Sequence, residues 1–180
     1  MGKIIDLDTY RRETTGKAGF VCWQKRFGHR FTVDSTLVDL PDGALLRLAS
    51  PGEDSAGAFF ELIIGVLNLG PPDGFSQLAG SDKMRVVDIQ LLLADQVRFE
   101  MMRRIGWLER FAGQDTPLGA SIQSFDALQA RCREQAPVIG PAHPEADRYA
   151  DLSDRDKHAC IRRYLPHALA VFNQRFSPSP

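Results

Sequence analysis

From Ser81 to Ala112 the chain reads SDKMRVVDIQLLLADQVRFEMMRRIGWLERFA, uninterrupted by proline and apolar around most of a helical circumference. Met84, Val87, Leu91, Ala94, Met101, Ile105 and Leu108 recur at helical spacing, and Val86, Ile89, Leu93 and Val97 widen that stripe. The pattern predicts one helix over 82–112, about 45 Å long, with Ser81 or Asp82 as its N-terminal cap and Gly113 closing its end. Polar residues thin out in its first half and return as Arg98, Glu100, Arg103, Arg104, Glu109 and Arg110, so the second half is expected to meet water along one edge. Such a helix needs neighbours on several sides.

The remaining pattern supplies them. Phe20, Trp23 and Phe27 are spaced as on a helix, with Lys25 and Arg26 in the last turn and Gly28 as C-terminal cap. The same aromatics also suit a small β-hairpin over 18–34 turning at Gly28. A short apolar helix is predicted from Pro41 to Ala49, and Ser50-Pro51-Gly52-Glu53 has the form of a capping box that starts another. That second helix, running to Leu69, is apolar nearly all round and stops at Gly70-Pro71-Pro72. The connection over 70–80 is long enough for it to lie antiparallel beside the 82–112 helix. A modest helix near 121–135 ends before Pro137, and residues 136–152, with Pro137, Pro141 and Pro144, form a loop or segment boundary. Ser153 opens a last helix, which Pro166 is expected to kink near Arg162 by removing a backbone donor. The expected fold is all-α, a single domain of five or six helices around 82–112.

Composition changes this picture little. The chain has 180 residues, of which 43% are hydrophobic and 25% charged, which suits a packed globular protein rather than a disordered one. Its net charge of −1 supplies no overall field to steer it onto nucleic acid. Within that balance, residues 1–31 are basic and 32–83 acidic. Cys22, Cys132 and Cys160 are odd in number and widely spaced, a pattern of reduced thiols. The N-terminal residues MGKIIDLD hold acids where a secretory leader would be apolar, and a cytoplasmic protein without membrane contact is expected.

Candidate chemistry is sparse. Asp88 and Asp95 stand a heptad apart, and facing Glu61 they would make a catalytic or metal-binding carboxylate set between helices. With Arg85 and Arg98 three residues away, the leading reading of the same two aspartates is helix-surface ion pairs. No Glu-x-x-His accompanies them. His158, Cys160, Cys132 and His143 have the atoms of a zinc site at spacings that match no compact one, and neither metal nor cofactor is expected. Cys22 beside Trp23 reads as core. Lys17, Trp23, Lys25, Arg26 and Arg30 interleave basic and aromatic side chains in the manner of a nucleic-acid surface. The leading expectation is a non-enzymatic interaction or regulatory protein; the alternatives are an enzyme with a carboxylate site between helices and a nucleic-acid-binding protein. A homodimer or another protein partner is expected, because the two apolar helices want more neighbours than the chain supplies. The competing cover is the two loops, 70–80 and 136–152, folded back over them.

Overall fold

The computed structural model describes the backbone of residues 7–176 and the side chains from Lys17 onward. The chain is 67% helical. Among the described residues nine α-helices and one two-stranded antiparallel sheet follow in this order: α1 (Leu7–Phe27), α2 (Asp42–Ala49), α3 (Glu53–Leu67), α4 (Gly80–Arg104), β1 (Leu108–Arg110), α5 (Leu118–Gln123), α6 (Phe125–Glu134), β2 (Val138–Ile139), α7 (Ala146–Tyr149), α8 (Asp154–Arg163) and α9 (Leu165–Phe176). The architecture is the expected one, mostly α with a small β element. That element lies elsewhere than 18–34: Leu108 pairs with Ile139 and Arg110 with Val138, while residues 18–27 continue α1.

α1 and α3 run antiparallel in backbone contact. A Cβ on Gly19 would sit 2.6 Å from the Leu62 carbonyl oxygen, and one on Gly65 would run into the Gly19 amide nitrogen. Further along the seam the Trp23 indole N–H donates to the Ala58 carbonyl at 2.7 Å, and Arg26 reaches Glu61 and Asp54. Rings then fill the end of the seam, where Trp23 meets Phe27, Phe31 and Phe59 edge-on.

α4 is central, touching α2, α3, β1 and α9. Its buried side is Val86, Ile89, Leu93, Val97 and Met101. The expected stripe is therefore rotated, since Met84 and Leu91 are 65% and 57% exposed. A helix apolar almost all round carries no signal for which side its neighbours choose. It is also shorter than 82–112. Gly106, at φ 82°, takes the left-handed position, the Gly106 N–H donates to the Arg103 carbonyl and the Trp107 N–H to Met102, and the helix closes there rather than at Gly113. Gly113 instead takes the Gln96 side-chain oxygen on its N–H.

The second half of α4 is less wet than expected. Glu100 is fully buried, bound by Arg103 (2.7 and 2.8 Å) and Arg104 (2.9 Å). Arg104 also grips Asp42 at 2.6 Å and the Leu37 and Val38 carbonyls, tying α4 to the start of α2. The anion is buried only because every nearby donor converges on it.

Ser50 is the other correction. It ends α2, its hydroxyl donating to the Leu46 carbonyl, and α3 starts three residues later behind Gly52. The chain needs Ser50–Gly52 to turn between two packed helices, so the local capping signal is overruled; Ser55, donating to Leu48 at 2.7 Å, makes the polar tie instead. Ser153 does cap α8, accepting from the Asp156 N–H. Ahead of Pro166 the expected kink is a full break at Tyr164.

Candidate functional site

A cleft of about 650 Å³ opens where α6 and α8 face the outer side of α4. α4 presents Asp88, Leu91 and Asp95, α6 presents Cys132 and Arg133, and α8 presents His158 and Arg162. α6 and α8 stand off from α4 here because their apolar content is small. Leu128 is the buried residue of α6, and Cys160 and Ile161 those of α8, so neither helix sends bulk into the gap.

Part of the charge in the cleft is committed. Asp95 is bridged across the gap by Arg162 at 2.8 Å and along its own helix by Arg98 at 3.5 Å. Burial first, then the Arg162 charge, lowers the affinity of His158 for a proton, and its Nε2 is shielded from solvent without a hydrogen-bond partner. Burial, reinforced by Asp95, pushes the Cys132 thiol up. A thiol held protonated is a poor nucleophile. Asp88 is exposed and, like Arg85 one turn earlier, makes no ion pair among the described residues.

The sequence candidates scatter accordingly. Asp88 and Asp95 do share one cleft. Glu61 does not join them: on α3 it accepts two bonds from Arg26, at 2.6 and 3.3 Å, while Asp54 bridges Arg26 and Arg47. Of the basic and aromatic set, Lys17, Lys25 and Arg30 are exposed and Arg26 is spent on acids. Trp23 is fully buried with its N–H used, so it offers no face to a base. His158 and Cys132 both line the cleft, whereas Cys160 lines another hollow and His143 is buried beside Trp107. Among the described residues no three His, Cys, Asp or Glu side chains are placed to hold a metal ion. Nor is any helix there long and apolar enough to cross a membrane.

Arg133 and Met84 carried no chemistry in the sequence reading. The usable signal was subtraction: two polar helices, α6 and α8, cannot cover an all-round apolar one. No protein-family model, no curated protein and no solved structure matches the chain.

Proposed function

We propose that the protein is a non-enzymatic interaction protein that pairs with a second copy of itself through the outer face of α4. The observation that carries this is the uncovered stripe Met84, Arg85, Asp88, Leu91, four exposed side chains within two turns of a helix whose other side is core. Solvent exposure of two large apolar side chains a heptad apart is a cost that a partner removes. The charges between them select the partner. In an antiparallel two-fold crossing centred between Met84 and Leu91, each Met84 meets the other copy's Leu91, and each Arg85 lies within reach of the other's Asp88. A stripe that complements itself in this way suits an isologous contact. An Asp95 carboxylate committed to Arg162 and a protonated thiol in the adjoining cleft weigh against catalysis there. Three free cysteines support a reducing compartment such as the cytoplasm.

A contact made by half of one helix falls short of the roughly 800 Å² per partner of a stable complex. Association is therefore expected to be weak and concentration-dependent. Light scattering behind size-exclusion chromatography over a hundredfold concentration range should show the mass rising above the 20.0 kDa monomer. R85E and D88R should each suppress the rise, and the double swap should restore it. A monomer at every concentration, or a double variant no better than either single one, would overturn the pairing.

A further inference from the structure

Residues 137–152 close on themselves around one imidazole. The Tyr149 hydroxyl donates to the Pro137 carbonyl at 2.5 Å, the Gly140 N–H to Trp107 at 2.9 Å and the His143 N–H to Gly140 at 3.1 Å. At the centre, His143 is only 3% exposed. Its Nδ1 accepts the Glu145 backbone N–H at 3.1 Å, which leaves the ring proton on Nε2, where no hydrogen-bond partner is present. Trp107 and Tyr164 stand edge-on to the ring at 5.6 and 5.2 Å, so the pocket is aromatic.

We infer that this lobe is a latch, held shut by neutral His143 and released when the imidazole takes a second proton, and that its release bares the Cys160 thiol. The second proton has to go on Nδ1, where it would point at the Glu145 N–H and destroy the bond that shapes the turn. Compensation nearby is small. Among the described residues Glu145 is the carboxylate that acts on the ring, and it already accepts from the Tyr164 hydroxyl at 2.7 Å and from Arg163 at 3.3 Å, with Arg148 at 3.8 Å. Just before β1, Trp107 packs on the ring, and Glu109 of β1 lies beside Gly140; from α9, His167 packs on Trp107. Release is local because the lobe is joined to β1 by a short strand pair and faces α8 across a hollow of about 420 Å³. Glu145 and Leu152 form the lobe side of that hollow and Cys160, now 5% exposed, lies on the α8 side.

Burial lowers the proton affinity of His143 below its ordinary 6.5, against a smaller opposing pull from Glu145. The open lobe then binds protons that the closed one refuses, so closure is complete above about pH 6.5 and weakens as pH falls toward the lower closed-state value.

The full chain carrying C22S and C132S, labelled with 4,4′-dithiodipyridine, which reacts in acid, reads this directly. The Cys160 labelling rate should rise by up to about tenfold per pH unit below pH 6.5 while far-ultraviolet circular dichroism stays constant. H143Q, whose side-chain oxygen can still accept the Glu145 N–H but does not titrate, should flatten the profile. A flat wild-type profile, an equal rise in H143Q, or a rise only alongside loss of helix would overturn the latch. Should H143Q not fold, exchange at the Glu145 amide of the unmodified chain decides: protection, corrected for intrinsic rate, must fall over the same pH range, and unchanged protection overturns the idea.

Discussion

The two sides of the helical core are built on opposite rules. Between α1 and α3 two glycines let backbones touch, an indole donates into the facing helix, and rings fill what remains. Between α4 and the pair α6 and α8 a cleft persists, bridged by one ion pair and lipped by an exposed leucine. Both involve a strongly apolar helix, α3 or α4, so the difference lies in the helices that face it. What separates them is whether the facing helix has small residues that permit approach or polar ones that stand off. A packed seam stabilises; an open one is available for a partner.

The sharpest way to break this contrast is on α4 itself, where an exposed leucine, Leu91, and a buried one, Leu93, stand two residues apart. Leu93→Ala, on the buried side, should cost about 2–5 kcal/mol in chemical denaturation. Gly65→Ala should cost about 3 kcal/mol, because its methyl meets Gly19 backbone rather than a side chain that can swing away. A loss under half of that in a melting series would mean the seam can slide apart. Ser55→Ala, which removes the bond to Leu48, should cost about 1 kcal/mol, and more than Ser50→Ala if the turn, not a capping box, orders this corner. Smallest of all, Leu91→Ala should change stability by less than about 0.5 kcal/mol. A Leu91 effect as large as that of Leu93 would show that the outer face is core after all.

Much of this was legible in the chain. The end of α1, all of α2 and the start of α8 lie where periodicity and caps put them, because each has a clear end signal, whereas α1 begins at Leu7, well before the aromatic spacing that announced it. The end of α4 was missed because Gly106 sits inside a run that stays apolar through Trp107 and Leu108, and a single glycine does not announce a left-handed turn. β1 and β2 are two to three residues long and separated by α5 and α6, too short to show alternation. As for the site, heptad spacing did place Asp88 and Asp95 on one cleft. It could not exclude Glu61, since the side α3 turns toward α4 is decided by the glycine seam with α1, a contact between distant residues that leaves no local mark.

Arg104 bears on the order of events in folding. Its guanidinium joins Glu100 to Asp42, 62 positions earlier in the chain, and to carbonyls just before that. Such a clasp closes only after α2 and α4 have come together, since closing a long loop must be rewarded by contacts already made. We expect Arg104→Met to leave the refolding rate nearly unchanged and to speed unfolding, placing its loss on one limb of the chevron. The arginine then acts as a brake on escape from the native state, a matter of lifetime more than of route.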